Sequence, residues 1–140
     1  MNQDELNQFL CIAFPKIDDF GSVYNVSPEG TVTFRVIPTL HHIRPGGTVS
    51  GPTMMTMVDT ASWCALLHKI GPQALAVTTN LNINFLRKPS ADQPLDAIAS
   101  LLKLGKRLAV CEVQIKQGNI LVAHSTCTYS IPPQSLSVQS

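Results

Sequence analysis

The stretch Gly46-Gly47-Thr48-Val49-Ser50-Gly51-Pro52-Thr53-Met54-Met55-Thr56-Met57-Val58-Asp59-Thr60-Ala61-Ser62-Trp63-Cys64-Ala65-Leu66-Leu67-His68-Lys69-Ile70 decides the fold. It is a glycine-bearing turn that runs straight into a long apolar segment carrying one acid. Met54, Met55, Met57, Val58, Ala61, Trp63, Cys64, Ala65, Leu66, Leu67 and Ile70 leave little of a helical circumference polar. A helix apolar nearly all round belongs in the middle of a fold. Pro52 suits the first helical position, and Gly71-Pro72 closes the other end. Asp59 is the exception on this helix. A carboxylate buried without a partner is costly, so something must tolerate it or use it. The turn two helical turns upstream is expected to point backbone N–H groups toward that acid.

On either side of this helix the chain reads mainly as strand. Glu5 to Phe14 has Leu6, Phe9, Leu10 and Ala13 at helical spacing with Pro15 beyond, which predicts a short amphipathic helix. Ser22–Val26 and Thr31–Ile37, joined by Ser27-Pro28-Glu29-Gly30, predict a hairpin. The segment from Pro38 to Pro52 reads as a loop holding His41, His42 and Arg44. After the helix, Ala76–Leu86, Leu95–Leu104, Leu108–Lys116 and Ile120–Ser130 are predicted strands. In the first of these, Val77, Thr79, Leu81, Ile83 and Phe85 alternate with Thr78, Asn80, Asn82 and Asn84, so Thr78 is expected to share a face with the asparagines.

One buried helix with five or six mostly antiparallel strands is an α+β plan. With no second helical layer to cover the helix, the sheet is expected to wrap it. Open sheet edges then predict pairing with a second copy, so at least a dimer. Residues 1–140 read as a single domain, with residues 1–20 as a helical lead-in and 132–140 as a flexible tail rich in Ser and Gln.

Composition narrows the function classes. The chain has 140 residues, enough for a sizeable core, and its net charge of +1 lacks the concentrated basic face of a nucleic-acid binder. No apolar run approaches the roughly 20 residues that span a bilayer, so no membrane partner is expected. The opening Met1-Asn2-Gln3-Asp4-Glu5 lacks the basic start of a signal peptide. Cys11, Cys64, Cys111 and Cys127 are scattered, with no Cys-x-x-Cys and no His at ligand spacing. They read as reduced thiols of a cytoplasmic protein, with no metal expected. The adjacent His41 and His42 read as loop or pocket-rim residues.

The segments Gly46–Ala61 and Val77–Pro89 resemble the hotdog-fold acyl-CoA thioesterases, in the branch typified by the phenylacetate-pathway enzymes. That family shares a glycine turn, a long central helix with an acid, and a strand reading Val-Thr-x-x-Leu-x-Ile-x-Phe-Leu-x-x-Pro. Here the strand is Val77-Thr78-Thr79-Asn80-Leu81-Asn82-Ile83-Asn84-Phe85-Leu86-Arg87-Lys88-Pro89. Gly105-Lys106-Arg107 and Leu121–Thr126 continue the pattern, so the likeness runs from Gly46 to Ser130.

The resemblance implies a hotdog fold and hydrolysis of an acyl-CoA to free acid and CoA by a homodimer or homotetramer. Asp59 falls on the family's catalytic acid, Gly51 on the glycine whose N–H polarises the thioester carbonyl, and Thr78 on a hydroxyl position that holds water. In the family the acid faces the glycine of the other subunit. Two positions depart from the pattern. Ser50-Gly51-Pro52 stands where many relatives have His-Gly-Gly, and Arg44 stands near a place where an Asn is common. Arg44 and Ser50 therefore join Arg87, Lys88, Lys106 and Arg107 as candidate substrate contacts, the cations for CoA phosphates. The chemistry needs no metal and no cofactor.

Other readings of the same residues stand beside these. Asp59 caps a helix if the helix starts at Thr60. Ser50 caps the long helix, and Thr78 is an ordinary strand threonine. As catalyst, Asp59 could act as general base or as nucleophile. Rival functions are a non-catalytic acyl-CoA-binding hotdog module and a hotdog dehydratase or hydratase. The latter needs a His–acid pair on its own motif, and none is recognisable.

Overall fold

The structure, a computed structural model, describes residues 1–39, 42–73 and 75–133. His41 and nearly all of the expected tail, residues 134–140, lie outside the described residues. The chain order is α1 (Gln3–Ala13), α2 (Ile17–Phe20), β1 (Ser22–Val26), β2 (Val32–Val36), β3 (Ile43–Arg44), β4 (Thr48–Val49), α3 (Gly51–Ile70), β5 (Val77–Phe85), β6 (Leu95–Leu104), β7 (Leu108–Gln117) and β8 (Ile120–Ser130).

Six strands form one antiparallel sheet in the order β1-β2-β6-β7-β8-β5, and α3 lies in its concave face. This is the hotdog arrangement. The strands adjoining the helix alternate as a half-buried sheet must. Val32, Phe34 and Val36 of β2 are fully buried, as are Ala109, Cys111, Val113 and Ile115 of β7. Their intervening neighbours face outward and are partly exposed. From α3, Met57, Val58, Ala61, Cys64, Ala65, Leu66 and Leu67 meet that face with essentially no exposure.

Three features depart from the expected plan. First, α1 is more than a lead-in. Leu6 and Leu10 are fully buried, and Phe9 and Phe14 pack their rings on Trp63 of α3 at 5.6 and 5.7 Å. The sheet therefore does not wrap α3 alone. Second, the loop from Pro38 to Pro52 contains a two-stranded hairpin, β3 with β4. Gly46 and Gly47 turn it with φ of +102° and +79°, backbone that side chains rarely adopt. His42 in the same loop is buried against Phe20 and not placed on a rim, and its Nδ1 accepts from the Thr39 N–H at 2.9 Å.

The third departure is a bulge in β5. Thr78 pairs with Tyr129 and Asn80 with Thr128, leaving Thr79 as an extra residue. The extra residue changes the alternation, so Thr78 turns to the helix side and does not share the face of Asn80, Asn82 and Asn84. Strict period-two counting cannot see an inserted residue.

The two sheet edges are treated differently. At β1, the Asn7 side chain of α1 accepts from the Val23 N–H at 2.8 Å and donates to the Val23 carbonyl at 3.0 Å. β5, the other edge, is exposed along nearly its whole length.

Candidate functional site

α3 is continuous through Asp59, so the acid sits in mid-helix and caps nothing. Its carboxylate is half-buried beside β5 and β8. The Thr78 hydroxyl donates to Asp59 Oδ1 at 2.5 Å, and the Tyr129 hydroxyl reaches the same oxygen at 2.6 Å. The Cys127 thiol approaches it at 4.0 Å. Tyr129 also lies 2.7 Å from the backbone oxygen of Asp59. Charge-assisted bonds of this kind offset the desolvation of a carboxylate. Burial pushes the Tyr129 phenol well above its ordinary value, and the charge and hydrogen bond of Asp59 add to that. Burial likewise pushes the Cys127 thiol up to about 11, so it stays protonated at neutral pH.

Asp59, Thr78 and Tyr129 line a cavity of about 490 Å³ whose other walls include Phe14, Trp63 and Val77. The site thus joins a fixed carboxylate to aromatic and aliphatic walls. A cavity of this size suits a small organic group.

A second cavity, about 460 Å³, opens at the N-terminus of α3 and is lined by Arg44, Gly51, Met54, Phe85, Arg87 and Lys88 among others. Here the first helical turn leaves one donor unused. Pro52 has no N–H, the Thr53 N–H donates to Ser50 Oγ at 3.2 Å, and the Met54 N–H donates to the Ser50 carbonyl. Among the described residues, no acceptor meets the Gly51 N–H. Ser50 is therefore the N-cap of α3, and its cap bond takes Thr53 out of competition with Gly51.

The structure brings together only part of the expected set. Gly51, Arg44, Arg87 and Lys88 share one cavity. Asp59 and Thr78 share another, eight positions along α3, about 12 Å at the helical rise. The glycine turn of a chain therefore does not face that chain's own acid. Lys106 and Arg107 line a separate groove beside Ile70, at the far end of α3. Among the described residues no group of three or more His, Cys, Asp or Glu side chains could hold a metal ion.

Tyr129, Trp63 and Phe14 were not singled out from the sequence. Tyr129 lies on the inward phase of β8 with Ala123, Ser125 and Cys127, which places it on the helix side. Only the register that sets it opposite Thr78 reveals its tie to Asp59.

Comparison with known proteins places the chain in a family. Residues 46–128 match the family described as the Thioesterase superfamily. A candidate esterase of Pseudomonas aeruginosa is 26% identical over 91 residues, covering 65% of this chain and 68% of that protein. The crystal structure of a candidate thioesterase from Silicibacter sp. TM1040 is 40% identical, with a TM-score of 0.87 over 95% of this chain and 93% of that one. Thioesterase superfamily member 2 of zebrafish shares the fold at a TM-score of 0.82 and 22% identity, over 94% of this chain and 99% of its own. A variant of a phenylacetic acid degradation protein from Thermus thermophilus shares it at 0.74 and 24%, over 84% and 99%. With the matched segment running from the glycine turn through α3 and into β8, this chain belongs to the thioesterase superfamily.

Proposed function

We propose that the chain is an acyl-CoA thioesterase that works as a homodimer or homotetramer, with Asp59 as its general base. The observation that carries this reading is the half-buried Asp59 carboxylate, tied at one oxygen by Thr78 and Tyr129 on the wall of an aromatic-lined cavity. A catalytic base needs a fixed position and an apolar surround, and this acid has both.

In the proposed reaction the Gly51 N–H donates to the thioester oxygen at the positive end of α3 and stabilises the charge that develops there. A water held beside Asp59 and Thr78 adds to the carbonyl carbon while Asp59 takes its proton. The tetrahedral intermediate collapses with cleavage of the C–S bond. The proton on Asp59 passes to the departing sulfur, giving carboxylic acid and CoA thiol. Thr78 contacts the same carboxylate and offers the water a lone pair, which favours this route over direct attack by Asp59.

One thioester carbonyl has to meet both Gly51 and Asp59, yet they lie about 12 Å apart along a single helix. That separation supports a site shared between two chains paired along the bare β5 edge, the acid of one facing the glycine of the other. Arg44, Arg87 and Lys88 around Gly51 form a cationic mouth suited to CoA phosphates. Widely spaced buried cysteines fit a cytoplasmic setting.

A panel of short, long and aromatic acyl-CoAs, followed by thiol release, tests the reading with wild type and Asp59→Asn side by side. Turnover that disappears in the Asn variant supports it. Binding without thiol release from any substrate replaces it with a non-catalytic binding module.

A further inference from the structure

Two strands deliver hydroxyls to one acid. The register of β5 and β8 sets Thr78 opposite Tyr129, and both side chains turn to α3. Tyr129 is only 3% exposed, and its oxygen stands 2.6 Å from Asp59 Oδ1 and 2.7 Å from the Asp59 backbone oxygen. The phenol thus spans the side chain and the main chain of the same residue. With Thr78 on the same Oδ1, two hydroxyls and, at 4.0 Å, the Cys127 thiol meet one carboxylate oxygen. Among the described residues no donor meets Oδ2.

A free carboxylate exchanges its two oxygens by rotation about the Cβ–Cγ bond. Donors concentrated on one oxygen oppose that rotation and leave the other free for reaction. We propose that Tyr129 is a positioning residue which holds Oδ1 of Asp59 and so presents Oδ2 to the water that attacks the thioester. The inference rests on Asp59 being the reacting acid. A buried phenol needs some partner in any case. The backbone oxygen alone would satisfy it, so the shared contact with Oδ1 is the part that carries the function.

Tyr129→Phe keeps the ring in place and removes only the hydroxyl. The expected result is a kcat at least about tenfold lower with KM within about twofold, since one charge-assisted bond to the reacting group is lost while the cavity keeps its walls. An unchanged kcat overturns the proposal, and so does a loss confined to melting temperature. Asp59→Asn, assayed in parallel, tests the reading underneath. Near-native turnover in that variant removes Asp59 from the chemistry and the catalytic half of the inference with it.

A second measurement does not depend on turnover or on the folding of Tyr129→Phe. The chain has two tyrosines, Tyr24 and Tyr129, so a Tyr24→Phe background reports Tyr129 alone by ultraviolet absorbance. The groups facing its hydroxyl are Asp59 from α3, Thr78 from β5 and Cys127 from β8. Its ionisation lies above the ordinary range, first from burial and then from the Asp59 charge and hydrogen bond. Asp59→Asn removes the charge but leaves the burial, so the Tyr129 midpoint should fall toward the ordinary value. A midpoint that does not move means the phenol does not hold this carboxylate.

Discussion

An acid on a helix that is apolar all round persists only where donors meet it, and Asp59 has two hydroxyls on one oxygen. Asp59→Asn is expected to retain the fold and lower thioester turnover by at least about a hundredfold, the scale of lost acid–base catalysis. Circular dichroism and thiol release from the best substrate check the two halves. At the other end of the exchange, the Gly51 N–H is expected to be the oxyanion donor. An added Cβ there would touch the Phe85 ring at 3.4 Å, an ordinary contact, so Gly51→Ala should fold normally. Its methyl stands in the mouth beside the N–H and is expected to lower kcat by about tenfold, a fraction of the roughly 3 kcal/mol such a donor supplies. An alanine variant with unchanged kcat removes Gly51 from the mechanism. As candidates both were legible, Asp59 as the one acid on an apolar helix and Gly51 through the family resemblance, which also implies the roles of both. Tyr129 was not, since a tyrosine in an alternating strand carries no mark of which residue it opposes across the sheet.

At the scale of elements, α1 and β5 complete the sheet in opposite ways. Asn7 meets both backbone groups of Val23 and closes the β1 edge. Asn7→Ala should cost about 1–3 kcal/mol, the effect of two lost bonds, and leave turnover unchanged. Urea denaturation with a parallel activity assay measures both, and an unaltered midpoint would mean that water replaces the side chain. The strands themselves were readable from period two, with ends within a residue or two of those observed. The face of Thr78 was not, because the Thr79 bulge shifts the phase by one residue and only pairing with β8 exposes it. The β3–β4 hairpin escaped notice because strands of two residues each have no periodicity to read. The role of α1 as a cover for Trp63 was hidden for a related reason. Amphipathicity shows that a helix has a buried face, but not which element it meets.

For the molecule as a whole, the bare β5 edge and the divided site lead to the same expectation. Light scattering coupled to size exclusion should give a dimer or a tetramer at micromolar concentration. A stable, active monomer would refute the shared site. Three buried thiols contribute to the loss of stability at alkaline pH. Burial pushes Cys64 and Cys111 up to about 12 and Cys127 up to about 11, against an ordinary value of 9.0. Between those limits the unfolded chain holds fewer thiol protons than the folded one. Their contribution is therefore constant below about pH 9, and stability falls as pH rises from there toward 11. Urea midpoints at pH 8 and pH 10.5 should differ, and Cys64→Ala should reduce the difference. Equal midpoints in the wild type would show that these thiols meet water when folded.

Trp63 is the only indole in the chain, and it lines the same cavity as Asp59 with its ring held by Phe9 and Phe14. The protein therefore carries its own optical reporter at the proposed reaction site. A ligand that displaces water from that cavity should shift the emission of this one fluorophore to shorter wavelength, with no label and no turnover required. In the Asp59→Asn variant, where substrate should persist, a titration followed in this way would rank acyl groups by equilibrium occupancy alone.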